Sequence, residues 1–173
     1  MNTTISLNLL MFSLLLLSMR TFGQSEAEIL NIKGNDLGRQ GKFDEAIIQY
    51  NKAIKIDPSY SEPYYNRGKA KLNLKSYLSA IQDFDIAAKL DPKNSDIFNN
   101  RGIAKKKLGD NNGAISDYTK SISLNPQNYR VYYNRGIARF DNGDSFGACS
   151  DFKMASSHNI YEAIDALNKI KCD

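Results

Sequence analysis

Three asparagines, Asn66, Asn100 and Asn134, stand 34 residues apart. A primary amide offers both a donor and an acceptor, the two groups a peptide bond presents in return. Each asparagine is followed by an arginine (Arg67, Arg101, Arg135), and sixteen residues after each arginine comes an aspartate: Asp83, Asp117 and Asp151. Guanidinium and carboxylate recurring in step make either a repeated ion pair or a row of ligand-facing charges. In the one place where the register holds Lys33 instead of arginine, Gln49 replaces the aspartate. Arginine and aspartate come and go together, so the reading here is a brace between helices, within a unit or to the next.

Catalysis finds little support. The single histidine, His158, follows Ser156 and Ser157, and adjacency in sequence is not the geometry of a nucleophile and its base. A surface-loop histidine is the expectation. No cysteine and histidine cluster has metal-ligand spacing, and no glycine-rich phosphate loop follows a strand. The residues point to no enzyme, no metal and no cofactor.

The same 34-residue step sets the elements that must position these side chains. Pro58, Pro92 and Pro126 recur at it, as do Gly34, Gly68, Gly102 and Gly136, and Ala46, Ala80, Ala114 and Ala148. Four residues after each alanine stands an aromatic (Tyr50, Phe84, Tyr118, Phe152), and four before each glycine a large apolar residue: Leu30, Tyr64, Phe98 and Tyr132. Each set lies on one helix face. Gly41, Gly109 and Gly143 interrupt the unit midway and Asp57-Pro58, Asp91-Pro92 and Asn125-Pro126 close it, so each unit reads helix, turn, helix, turn. The units are 27–60, 61–94, 95–128 and 129–162. The small columns let helix axes approach to about 8 Å.

This pattern resembles the tetratricopeptide repeat, whose signature combines an aromatic, a glycine, an alanine with an aromatic four later, and a closing proline. Departures are plain. Lys33, Arg67, Arg101 and Arg135 stand where the family has leucine, and Leu37, Lys71, Lys105 and Arg139 where it prefers tyrosine; the fourth unit has Ile160 in place of proline. The resemblance implies an all-α, right-handed superhelical stack of helix-turn-helix repeats, an α-solenoid whose first helices line a concave groove. It also implies a non-catalytic interaction module or assembly scaffold, with a protein or extended peptide as partner.

In several members of that family a ladder of asparagines holds the backbone of an extended peptide, and Asn66, Asn100 and Asn134 fall in that column. First helices about 10 Å apart match three residues of extended chain at about 3.3 Å each. Pocket walls are expected from Tyr65, Tyr133, Lys69, Leu72 and Phe140, with Asn99, Lys106 and Arg130 at the edges. The alternative is that the asparagines tie one helix to the next. The family's carboxylate clamp for chaperone tails would fall on Asn31, Asn35, Asn66, Asp96 and Asn100, which lack its basic residues, or on Tyr65, Lys69, Asn100, Arg130 and Asn134, which keep part of it. Recognition of a chaperone tail is not expected. Because the first unit departs in Ile32, Lys33 and Gln49, the binding surface is expected on units two to four.

Residues 1–23 are of another kind. Met1 to Met19 carries no charge, Leu14 to Leu17 are all leucine, and Arg20-Thr21-Phe22-Gly23 leads into Gln24-Ser25-Glu26. This reads as a secretory signal cleaved between Gly23 and Gln24, giving a periplasmic or secreted chain. The alternative is an uncleaved anchor that tethers a structural subunit of a larger complex to the membrane. Loss of Arg20 with the leader lowers the formal charge from +4 to +3, too little to argue nucleic acid. Lys105-Lys106-Lys107 reads as a solvated helix end.

After the fourth unit, Ile164, Leu167 and Ile170 predict an amphipathic capping helix over 161–172, with Asp165, Asn168, Lys169 and Lys171 outside. Cys149 sits in the column of Ile47, Ile81 and Ile115, the face the cap should cover, and Cys172 ends the cap. In an oxidising compartment a disulfide stapling the cap is geometrically reasonable. The alternative is a small core residue and a frayed terminal thiol.

Overall fold

The structure, a computed structural model, describes residues 26–170 and residue 172. The expected leader and its cleavage point lie outside the described residues. Among these, nine helices follow one another without a strand: α1 (26–39), α2 (Phe43–Ile56), α3 (Ser61–Asn73), α4 (Tyr77–Leu90), α5 (Ser95–Lys107), α6 (Asn111–Leu124), α7 (Tyr129–Asp141), α8 (Ser145–Ser156) and α9 (Tyr161–Ile170). From α2 on each packs on the next, α3 also packs on α5, and α5 on α7; α1 meets α2 through Gly34 and Leu37 against Tyr50. The odd-numbered helices therefore approach one another and form the inner layer of an all-helical solenoid.

The turns follow from residue chemistry. Gly41, Gly109 and Gly143 sit at φ of +77°, +83° and +85°, a region that costs any residue with a β-carbon about 1–2 kcal/mol. In the second pair the same place holds Lys75, which takes φ +60° regardless. Between pairs, Asp57, Asp91 and Asn125 each accept a hydrogen bond from the backbone N–H two residues on. That explains the acid or amide before each proline.

Within each pair the crossing is set by glycine against a ring. A β-carbon at Gly34, Gly68, Gly102 or Gly136 would stand 2.5–2.8 Å from the ring of Tyr50, Phe84, Tyr118 or Phe152. The aromatics thus close on the glycine of their own pair, not only on the neighbouring helix. Ala46, Ala80, Ala114 and Ala148 are wholly buried beside them.

Among the described residues the last helix spans Tyr161–Ile170, and Cys172, expected at its end, is not helical. The helix covers Ala148, Phe152 and Ala155 with Ala163, and Ala166, Leu167 and Ile170 pack at the margin. Ile164, expected on the apolar face, is 42% exposed. Positions 163, 166, 167 and 170 share one helical face, and a residue one step from Ala163 is turned about 100° away.

Candidate functional site

Behind the inner layer, one arrangement occurs three times. Arg67, Arg101 and Arg135, on α3, α5 and α7, each donate two hydrogen bonds of 2.6–2.9 Å to the carboxylate sixteen residues on, on the paired helix. Asp83, Asp117 and Asp151 are all buried. A second cation, one turn after the arginine, reaches the same carboxylate: Lys71 at 2.8 Å, Lys105 at 2.8 Å and Arg139 at 2.9 Å. The remaining guanidinium nitrogen donates back to the preceding pair, to Asn51, Asp85 and Thr119. Each guanidinium also lies 5.3–5.6 Å from the ring centre of Tyr64, Phe98 or Tyr132. One side chain thus joins its own pair and the pair before it. Hydrogen bonds to Asp117, working against burial, raise the Arg101 pKa further above its ordinary value.

Two departures from the repeat signature are accounted for here. The basic residues in the leucine and tyrosine columns are the two cations of a buried acid, and Leu30, Lys33, Leu37 and Gln49 show the set missing as a whole from α1 and α2. Two members of the basic run are occupied as well, Lys105 by Asp117 and Lys106 by Asp141. The run is less a solvated end than a pair of ties.

The asparagine column ties the inner layer together. Asn66 donates to the Asn31 side-chain oxygen at 3.0 Å, Asn100 to the Tyr65 hydroxyl at 3.1 Å and Asn134 to the Asn99 side-chain oxygen at 3.2 Å, in each case 35 residues back. Asn100 also donates to the Asp96 carbonyl. A primary amide has two N–H groups and two acceptor lone pairs, so these bonds leave part of each amide's capacity for a ligand. Tyr65 packs its ring on Phe84, and burial pushes its hydroxyl up to about 12. The Lys69 ammonium lies 5.2 Å over that ring. Leu72 is half-buried against the core of α3 to α5. At the far end Tyr133 packs on Phe152, Arg130 lies over Tyr133 and pairs with Glu162 of α9, and Phe140 is 45% exposed. The Arg130 hydrogen bond holds the Glu162 carboxyl below its usual range.

An open recess of about 340 Å³ lies between the first two pairs, walled by Asn35, Arg39, Tyr50, Asn66, Lys69 and Asn73, with Gly38, Phe43 and Ala70. Only Asn66 and Lys69 among these were expected. The first pair supplies half the wall, whereas the binding surface was expected on units two to four; Asn35 and Arg39 lie in columns other than those in which α1 departs. Their columns carried a signal: Asn35 and Lys69, Arg39 and Asn73 are polar in the first two pairs, whereas Ile103 and Ile137 follow in the first of them.

His158 stacks on Tyr129, 3.5 Å between ring centres, and its Nδ1 lies within hydrogen-bond reach of Ser157 and the Met154 carbonyl. These contacts are those of a turn residue. Among the described residues no cluster of histidine, cysteine or acid could hold a metal, and no helix is long and apolar enough to cross a membrane. Cys149 and Cys172 are joined in a disulfide, with 5.6 Å between their α-carbons.

Fold and site define a helical repeat protein with an open inner face. A TPR repeat model matches residues 34–75 and 104–143, and a tetratricopeptide repeat model matches 61–94: the chain carries tetratricopeptide repeats. Among solved structures it is similar to the first TPR of Spaghetti (RPAP3) bound to the HSP90 peptide SRMEEVD, at 29% identity and TM-score 0.68 over 69% of this chain and 95% of that one. It is similar to MamA at 26% identity and TM-score 0.73, covering 83% of this chain and 81% of that one. The Arabidopsis OM64 TPR domain gives 28% identity and TM-score 0.67 over 68% and 98%. A curated relative, the Hsp70-Hsp90 organising protein of Plasmodium falciparum (isolate 3D7), is 35% identical over 63 residues, 36% of this chain. The match spans 11% of that relative's length.

Proposed function

We propose that the chain is a non-catalytic interaction module that holds an extended peptide or partner segment against its odd-numbered helices. The observation that carries this is the recess at the first two pairs, whose polar wall offers three carboxamides and two cations, Lys69 and an Arg39 that also pairs with Asp36 outside the wall. Support comes from the Spaghetti repeat domain, solved with a peptide bound. The amides of Asn66, Asn100 and Asn134 continue along the same face towards Tyr133 and Arg130. Each hydrogen bond contributes only about 0.5–1.5 kcal/mol net, so the recess must supply side-chain contacts as well. The module works outside the cytoplasm, a reading supported by the apolar leader and by the cysteine pair.

The test is a crosslinking pull-down from the native compartment, repeated with Lys69→Ala/Asn73→Ala. Both residues are exposed, so the variant should unfold within about 0.5 kcal/mol of the parent and lose the captured partner. The asparagine ladder is less suited to that experiment, since its amides also hold helix to helix. Equal capture by parent and variant rules the recess out. Mass spectrometry of the mature N-terminus checks the location separately: a start at Gln24 is expected.

A further inference from the structure

The disulfide lies on the wall of a second open recess, about 450 Å³, formed by Ser145, Phe146, Cys149, Ser150, Lys153, Ile170 and Cys172. Both cysteines are partly exposed, and Phe146 beside them is 89% exposed. A disulfide buried in a core is shielded from thiol exchange; this one opens onto a cavity large enough to admit another molecule's thiol.

What it fastens is weakly held otherwise. Among the described residues the last helix runs ten residues, below the roughly 12–15 at which an isolated helix becomes even marginal in water. It buries one side chain completely, Ala163, while Tyr161 and Ile164 remain 72% and 42% exposed. Ala166, Leu167 and Ile170 pack only partly buried, and the tie from Glu162 to Arg130 joins two half-exposed side chains, a class of pair that contributes little. The turn before it passes through Asn159 at φ +64°.

We propose that Cys149–Cys172 is an exchange site for a dithiol reductant, and that its reduction undocks α9 from the end of the stack. A thiolate of the reductant attacks Cys172 Sγ, the S–S bond breaks, and its electron pair leaves on Cys149 Sγ. The helix ends set that direction: Cys149 stands in the second turn of α8 and Cys172 follows the C-terminal end of α9, so the departing thiolate is better placed on Cys149, nearer the positive end of a helix dipole. The thiolate takes a proton from water. The reductant's second thiol then attacks its own sulfur in the mixed disulfide and releases Cys172 as a thiol. The chain gains two thiols, and the dithiol, giving up two electrons, becomes a disulfide. Undocking uncovers Phe152 and Ala155, the apolar end of the solenoid.

Hydrogen exchange read by mass spectrometry on the full chain, oxidised and after dithiothreitol, tests the latch. On reduction the amides of 161–170 should lose protection by about tenfold or more while 61–141 keep theirs. The oxidised-state pattern should also be lost, without reductant, in Cys149→Ser/Cys172→Ser. Equal protection of 161–170 in both states, or loss of protection throughout the stack, overturns the latch. Trapping with a single-thiol thioredoxin variant tests the route: the adduct is expected on Cys172. An adduct on Cys149 overturns the direction of attack, and no adduct overturns the site.

Discussion

In α1 and α2 the ring of Tyr50 closes on Gly34 just as Phe84 closes on Gly68 in α3 and α4. Yet where α4 buries Asp83 between Arg67 and Lys71, α2 has Gln49 and α1 has Lys33 and Leu37. The contrast separates two tasks. Glycine against a ring is how the two helices of one pair cross, and every pair needs it. The arginine and its acid join one pair to the pair before it, through Asn51, Asp85 or Thr119, and among the described pairs the first has none before it. The inner layer divides differently. There the first two pairs carry the polar recess, while at the far end Arg130 is engaged by Glu162 and Lys106 by Asp141.

The largest effect should come from taking away the acid of a complete set. Asp117→Ala leaves Arg101 and Lys105 facing each other in a buried site, at a cost of about 3–5 kcal/mol in urea unfolding. Gln49→Ala, at the same register in the first pair, should change little. If the two substitutions cost the same, the acid is not what distinguishes the pairs.

The crossing should instead be equally sensitive in both regions. Gly34→Ala and Gly102→Ala each press a β-carbon into a tyrosine ring. About 1–3 kcal/mol of overpacking outweighs the roughly 1 kcal/mol that alanine returns in helix propensity. Thermal unfolding of both variants checks this, and a neutral Gly34→Ala would show that the first pair crosses more loosely.

A smaller change of opposite sign belongs to α6. Ser121 is buried in the column otherwise held by Ala53, Ala87 and Ala155, and its hydroxyl finds no partner among the described residues. Ser121→Ala should raise stability by about 1 kcal/mol in the same urea titration.

The smallest effect lies in the pH dependence of stability and appears only in alkali. Burial raises the Tyr50 hydroxyl to about 12 despite the nearby Arg39, and raises that of Tyr118 as well, whereas Phe84 and Phe152 hold the same place in the other pairs. The unfolded chain loses these protons near pH 10 and the folded chain only at higher pH. Their contribution is therefore intact below pH 10 and falls away up to about pH 12 and beyond. Tyr50→Phe/Tyr118→Phe should flatten the decline of the unfolding midpoint above pH 10, and an unchanged slope would assign it elsewhere, for instance to Tyr65.

The solenoid was legible because a repeat states its own register: glycine, alanine and aromatic columns each satisfy a local rule of helix crossing, and the rule recurs with the chain. Arginine and aspartate were legible as a pair because they vanish together at Lys33 and Gln49. The second cation was visible as a departure from the signature but not as a partner, since nothing in one dimension says that Lys71 reaches the acid Arg67 already holds. The recess escaped for a related reason. Comparing units column by column favours what repeats, and Asn35 and Arg39 matter where repetition stops.

Helices alternating with turns every half unit, each with one small, apolar face, follow from the order of residues alone, because backbone propensity and side-chain period act over a few residues. It took the packed stack to make Asn66, Asn100 and Asn134 donate to the inner helix of the preceding pair, two cations share one buried carboxylate, and Cys149 meet Cys172 on an open wall. Those outcomes depend on distances across helices, set when the whole stack packs.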